Sequence, residues 1–373
     1  MKILEVCTSR SWGGMEMRTL KISEAFKELG HSVTLLCHPE SSLHNDAVKS
    51  GIETITLPFK NGIHLYLILK LSKHLKQNRF DLIHTQFSRD LRFLVPALKG
   101  MNNTPLVLTK RLASFINKKD LFHKYLYNRV DLITAISKVI QENVIETCPV
   151  EPSKVEIFYN GINVDKFQSA LKLRVEKRKE LGIKDEIVIA IFGRFSPGKG
   201  HEEFLEAAKI ISSQKKNVKF LVVGSESYGE PEYEQSIYKL ADSYNLKDEL
   251  IFTGFREDVP ELMGAIDILA VPSHAEAFGN VAIEGMAAGK PVVAANNYGL
   301  LDIVVDQKTG LLFKVKEADD LAVKSITLID DHGLRKKLGV AGLQRVKEVF
   351  DEQKQIKKLE QRFFDLIEAK NND

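Results

Sequence analysis

The chain alternates between short, unbroken apolar runs and longer stretches whose apolar positions repeat at helical spacing. Runs at residues 3–7, 33–37, 82–85, 106–109, 132–136 and 155–159 fill the first half. Runs at 187–193, 220–224, 250–253, 266–271 and 291–294 fill the second. Apolar residues at successive positions belong to strands covered on both faces. Between the first two runs, Ile22, Ala25, Phe26 and Leu29 fall on one helical face, which Gly30 ends. Alternation of this kind predicts parallel α/β sheets joined by right-handed crossovers.

The rhythm lapses over residues 166–184, where Lys172, Arg174, Glu176, Lys177, Arg178, Lys179 and Glu180 crowd together. A chain of 373 residues exceeds one ordinary core, so the lapse marks a connection between two domains. The expected division is a Rossmann-like domain over 1–166 and a second over 167–350. A charged amphipathic helix over 351–373, with Ile356, Leu359, Phe363 and Leu366 on one face, is expected to pack back toward the first domain. Two doubly wound parallel sheets are expected to face a cleft, with ligands at the C-terminal edges of the strands.

Apolar residues make up 44% of the chain and charged residues 28%, as in soluble globular proteins. No apolar run approaches the length of a membrane span, and Met1 to Cys7 lack the apolar core of a signal peptide. Cys7, Cys37 and Cys148 are widely spaced, which fits a reduced, cytoplasmic chain and gives no metal-ligand spacing. The net charge of +3 conceals an asymmetry. Residues 1–165 hold 22 basic against 16 acidic side chains, and the remainder 31 against 34. Residues 60–129 alone hold 14 basic and 3 acidic ones. That excess suits an anionic membrane surface, a phosphorylated acceptor or nucleic acid, or it is a set of solvated helix faces.

Two carboxylates carry the most chemical information. Glu276 lies on the loop after the run 266–271, and Glu284 within a short helix that Gly289 and Pro291 end. Gly279 and Asn280 open this helix, where free backbone N–H groups favour an anion. Sugar-grasping carboxylates on either side of such a helix start suit a nucleotide sugar; the alternative is two solvated glutamates. The second domain opens with Gly193, Arg194, Gly198, Lys199 and Gly200 at nearly the spacing of a phosphate-binding loop. Gly200 stands where Ser or Thr would hold magnesium. Arg194 and Lys199 remain as two cations able to neutralise a diphosphate. Gly13 and Gly14 follow the first run and permit close backbone approach, but Met17 replaces the third glycine of a dinucleotide fingerprint. His84 and Asp90 follow residues 81–83, in place to bind hydroxyls or move protons. For His84 the alternative is a structural hydrogen bond.

Together these segments resemble the retaining GT-B glycosyltransferases of glycosyltransferase family 4 over nearly the whole chain. The resemblance rests on Gly13 and Gly14, on Asn160, Gly161, Asn163, Asp165 and Phe167, and on Gly193, Arg194, Lys199 and Gly200. It rests further on Thr253, Gly254 and Phe255, on Thr309, Gly310 and Phe313, and above all on Glu276 and Glu284 around Ala277, Phe278 and Gly279. It implies an α/β, GT-B fold and transfer of a hexose-type sugar from a nucleoside-diphosphate sugar, most simply a UDP-sugar. It further implies retention of configuration with no metal and no cofactor, the leaving phosphate taking the acceptor proton. The implied acceptor is a cell-surface glycan or lipid-linked molecule such as a lipopolysaccharide core, and no nucleic acid is expected.

By the same resemblance, Arg194 and Lys199 hold the donor diphosphate and Glu284 the ribose. Glu276 holds the transferred sugar, with the backbone at Phe278, Gly279 and Asn280. Phe255 and Arg256 line the base site through backbone atoms. Gly13 and Gly14 let their loop close over the phosphates, and His84 and Asp90 form the acceptor-side polar group. The chain departs from the family pattern at Asp302, where the loop normally carries Glu. It departs again at Lys110, Arg111 and Leu112, which replace a first-domain His and leave His84 or Arg111 as substitutes. A sugar-nucleotide epimerase, a silent nucleotide-sugar-binding protein and an NAD enzyme are the rival readings, the last weakened by the missing third glycine. The expected setting is cytoplasmic, peripheral on the inner face of the cytoplasmic membrane.

Overall fold

The computed structural model describes residues 1–59, 64–226 and 231–372, so Lys60 of the basic stretch and Asp373 lie outside the described residues. The apolar runs become parallel strands: β1 (Lys2–Cys7), β2 (Ser32–Cys37), β3 (Glu53–Thr56), β4 (Leu82–Thr85), β5 (Leu106–Lys110), β6 (Leu132–Ala135) and β7 (Val155–Ile157). A second set follows: β8 (Ile187–Phe192), β9 (Val218–Val223), β10 (Leu250–Phe252), β11 (Ile268–Val271), β12 (Val292–Ala295) and β13 (Leu311–Phe313). Interior strands such as β1, β4, β8 and β11 are buried at nearly every position, as helices on both faces of a sheet require. Two strands were not legible as apolar runs. In β3, Glu53, Thr54, Ile55 and Thr56 sit half-exposed at the sheet edge. In β13 only Leu311, Leu312 and Phe313 pair, with Val293, Ala294 and Ala295.

The chain forms two compact units, residues 1–159 with 355–373, and residues 160–354. The division falls earlier than the expected boundary after 166. Helix Val164–Ala170 packs on helices Val259–Ala265 and Asn280–Ala287 and so belongs with the second unit. The first unit holds seven strands in the order β3-β2-β1-β4-β5-β6-β7. The second holds six in the order β10-β9-β8-β11-β12-β13. Winding reverses between β1 and β4 in one sheet and between β8 and β11 in the other. At such switch points, adjacent loops leave in opposite directions and open a crevice at the C-terminal strand ends.

Helix Glu352–Asn372 contributes to the core of the first unit. Ile356, Leu359, Phe363 and Leu366 pack with Ile3, Phe26, Leu82, Val107 and Leu132. Phe363 stacks on Phe26 at 5.5 Å and meets His84 edge-on at 5.3 Å. Around this apolar stripe, Arg362 binds Glu156 at 2.8 Å and Lys370 reaches Asp131 at 2.9 Å. Phe363 is fully buried. Its replacement by Ala should therefore destabilise the first unit by about 3–5 kcal/mol through lost burial and the cavity left behind. Chemical denaturation followed by signals from the first unit would check this; an unshifted midpoint would show that the helix is not part of that core.

Candidate functional site

At the second switch point, the loops after β8, β11 and β12 are locked together by backbone contacts. Gly200 has φ +81°, and a Cβ there would collide with the Pro272 carbonyl, so only glycine admits the approach. The His274 N–H donates to the Gly198 carbonyl at 2.8 Å. Asn297 Nδ2 donates to the carbonyls of Ser273 and His274 at 3.2 and 2.5 Å. The Gly299 N–H donates to the Glu276 carbonyl at 2.9 Å. A Cβ on Gly299 would lie 2.6 Å from Ala277 O, and one on Gly279, at φ +108°, 2.6 Å from Leu300 Cδ2.

This scaffold brings several sequence-predicted residues together. Lys199 Nζ contacts Glu276 Oε1 at 2.5 Å, with both side chains partly accessible. Gly279 caps helix Asn280–Ala287, and Asn280 at its first turn accepts a hydrogen bond from Asn160 Nδ2 at 3.1 Å. Phe278 is buried, edge-on to Phe350. Glu284 sits half-buried one turn into the same helix. Arg194 is exposed on the β8 loop. The arrangement offers a mobile cation, a carboxylate and a helix N-terminus around one crevice, a set suited to an anionic, hydroxylated ligand.

Other predicted residues are placed differently. Phe255 follows β10 and is 71% exposed. The Arg256 guanidinium donates to Asp258 at 2.7 and 2.6 Å and to Glu180 at 2.6 Å, which engages two of its three nitrogens. That pairing holds the Asp258 carboxyl well below the usual range. Asp302 is buried in helix Leu300–Ile303, and its carbonyl accepts from Arg345 at 2.8 Å. In the first unit, Gly13 is extended and caps helix Gly14–Glu28. A Cβ on Gly14 would meet no atom within 4 Å, so the fold itself does not demand glycine there.

His84 requires a correction. It lies within β4 rather than beyond it and is fully buried. Its Nδ1 is 2.8 Å from Glu5 Oε1 and its Nε2 2.7 Å from Thr109 Oγ1, so both ring nitrogens are spent inside the sheet. It is a structural hydrogen bonder and cannot reach an acceptor. Arg111 is tied to Gln86 Oε1 at 2.8 Å. Asp90 does lie at the C-terminal edge, where Thr8 Oγ1 and Thr85 Oγ1 donate to it at 2.6 and 3.2 Å. Burial raises its carboxyl to about 7.

Asn297, Gly299 and His274 carry no motif that the sequence analysis singled out, yet they fasten these loops. His274 Nε2 is 2.7 Å from Glu203 Oε1 and so steadies the β11 loop. Lys110, which marks a departure from the family pattern in the sequence, is buried at the end of β5, reaches Ser88 Oγ at 3.4 Å and is pulled down to about 8 by burial.

Residues 12–166 match the family described as Glycosyltransferase Family 4, and residues 174–345 match Glycosyl transferases group 1. The chain is 32% identical over 341 residues to the D-inositol 3-phosphate glycosyltransferase of Mycobacteroides abscessus, covering 83% of this chain and 75% of that one. The chain belongs to glycosyltransferase family 4. It is a glycosyltransferase of the GT-B fold class. It is also 26% identical over 350 residues to the Escherichia coli UDP-Gal:alpha-D-GlcNAc-diphosphoundecaprenol alpha-1,3-galactosyltransferase, covering 89% and 88% of the two chains. In structure it is similar to Anabaena HepE in complex with UDP, with a TM-score of 0.84, 23% identity and coverage of 98% and 100%.

Asp90 also carries a pH signature. Its folded pKa lies above the unfolded value near 3.9. The stability it contributes is therefore fully present below pH 4 and is lost as pH rises through 7. Relative to wild type, Asp90→Asn should look less destabilised at pH 8 than at pH 5, by on the order of 2 kcal/mol. Parallel denaturation curves at the two pH values would check this, and a constant difference would mean that Asp90 is charged throughout.

Proposed function

We propose that this glycosyltransferase moves a hexose from a nucleoside-diphosphate sugar, most simply a UDP-sugar, with retention of configuration. The observation that carries the reading is the Lys199–Glu276 contact, held at the second sheet's switch point beside the Gly279–Asn280 helix start. Lys199 and Arg194 take the diphosphate and stabilise the charge that develops as it leaves. Glu276 then turns from Lys199 to the hydroxyls of the transferred sugar, and Glu284 holds the ribose. Phe255 and the backbone of Arg256 border the base. These two cations serve where a divalent ion otherwise would, so transfer proceeds without metal. HepE was crystallised with UDP, and the Escherichia coli relative is named for a UDP-Gal donor; both support this choice.

Lys199→Ala and Arg194→Ala should each slow transfer on the order of a hundredfold, about 3 kcal/mol, as for a lost oxyanion donor. Glu284→Ala should weaken binding of free UDP, whereas Glu276→Ala should leave it intact and damage transfer. Calorimetry with UDP and product analysis with and without acceptor would check both. Equal loss of UDP affinity in the two glutamate variants would reject the assignment, and sugar-nucleotide turnover without acceptor would favour an epimerase.

The acceptor in this reading is glycan or lipid-linked, met by an enzyme that sits on an anionic membrane surface. Among the described residues no helix is long and apolar enough to cross a membrane. The first unit nevertheless exposes Phe115 at 99% and Leu121 at 85%, with Leu112, Ile116 and Tyr125 also outward. Lys119 and Lys124 are exposed among them. Helix Leu65–Asn78 adds exposed Leu65, Tyr66 and Leu69 beside Lys70 and Lys73. It packs on helix Leu91–Ala97, which in turn packs on Leu121–Asn128. Apolar tips among lysines match a bilayer interface, each cation adding roughly 1 kcal/mol near anionic lipid. The enzyme should sediment with phosphatidylglycerol vesicles at low salt and release at high salt. Phe115→Ser should weaken this binding. Protein left in the supernatant at low salt would end the membrane reading and leave the transferase reading intact.

A further inference from the structure

A cavity of about 540 Å³ lies wholly in the first unit, over the switch point of its sheet. Thr8, just past β1, and Asp90, beyond β4, form its base. We propose that this cavity is the acceptor's anion subsite, taking a phosphate-ester group with Arg89 and Arg92 as its ligands. This rests on the transferase reading above, and it adds the chemical class of the acceptor.

Three arginines line the cavity, Arg10, Arg89 and Arg92, and all three are exposed. Arg10 reaches Glu40 at 3.2 Å and is partly neutralised. Arg89 lies over the Phe87 ring at 5.5 Å, a contact that directs the guanidinium without using its N–H donors. Arg92 makes no hydrogen bond or ion pair among the described residues. Two forks of unspent donors facing one cavity match the oxygens of a phosphate ester, for which planar guanidinium geometry is well suited.

The opposite wall is apolar. Phe59 and Phe93 are buried and stacked at 3.8 Å with their planes 6° apart. What they leave at the cavity is an apolar surface for the carbon skeleton of a sugar or lipid headgroup. Asp90 is the one carboxylate in the lining, and it would oppose an anion. Its side chain is fully buried, however, and its oxygens are turned to Thr8 and Thr85. Burial also raises its carboxyl to about 7, so it is only partly ionised at neutral pH.

The test is calorimetry on the full chain with glucose 6-phosphate and glucose as probes. Glucose 6-phosphate should bind at least tenfold tighter than glucose. The double variant Arg89→Gln/Arg92→Gln should lose that advantage, while Lys199→Ala keeps it. Equal binding of the two probes to the wild type would overturn the proposal, as would loss in Lys199→Ala with retention in the double variant. UDP affinity, measured in the same variants, should be unchanged by Arg89→Gln/Arg92→Gln. If the wild type failed to bind UDP, the donor reading would fall while the anion subsite stood. Dihexanoyl phosphatidate below its micelle concentration provides the second arm. If it binds tighter than glucose 6-phosphate and depends on the same arginines, the phosphate belongs to a lipid; the reverse order assigns it to a soluble sugar phosphate.

Discussion

No side chain fits at residue 200, because the Pro272 carbonyl occupies the space where a Cβ would stand. That single close approach brings the loop after β8 against the loop after β11. It explains why Lys199 and Glu276, far apart in sequence, meet at 2.5 Å. The remaining fastenings follow from it. Once the β11 loop is fixed, Gly299 must be small to lie on Ala277 and Phe278, and Asn297 can satisfy two carbonyls that would otherwise be stranded. Glycine is costly in an unfolded chain because of its freedom. Here three of them are spent where three loops would otherwise splay apart, and the result is a preorganised crevice.

The first unit handles polarity in another way. Glu5, His84, Thr109 and Thr134 form a fully connected hydrogen-bonded row across β1, β4, β5 and β6, roofed by Phe363. All four side chains are buried or nearly so. A network of this sort is costly when any member is unmatched and rigid when all are matched. One oxygen, Glu5 Oε2, has no hydrogen-bond partner among the described residues, which marks the row's weak point. The row specifies strand register, since a slip by one residue would turn every one of these groups to the opposite face.

The alternation of strands and helices was legible because parallel strands are apolar at every position and so stand out from amphipathic helices. The edge strand β3 escaped notice because its Glu53 and Thr residues carry no such run. Lys199, Glu276, Gly279 and Asn280 stood out in the sequence because loops at strand ends carry charged residues and glycines that the interior of a buried strand does not, and the structure places all four at one sheet edge. His84 misled because strand ends are uncertain by a residue or two, and here that margin separates an accessible imidazole from one sealed by Glu5 and Thr109. Arg256 was expected to act through its backbone, and its side chain is engaged by Asp258 and Glu180, acids that the sequence does not distinguish from any other surface acid. Asn297 and Gly299 were beyond reach altogether, since their roles are contacts with a loop more than twenty residues away.

Charge is distributed to match these roles. Residues 1–165 carry the basic excess, while the remainder of the chain holds 31 basic and 34 acidic side chains. In the proposed donor mode, Lys199 needs a counterion when no donor is bound, and Glu276 supplies it. An accessible pair of this kind is worth only about 0–1 kcal/mol. It opposes a diphosphate weakly, yet it keeps Lys199 from gathering stray anions and holds both side chains close to where a nucleotide sugar would need them. In that mode, exchange of one partner for the ligand's phosphate and of the other for its hydroxyls would cost little, leaving most of the binding energy for the step in which the diphosphate departs.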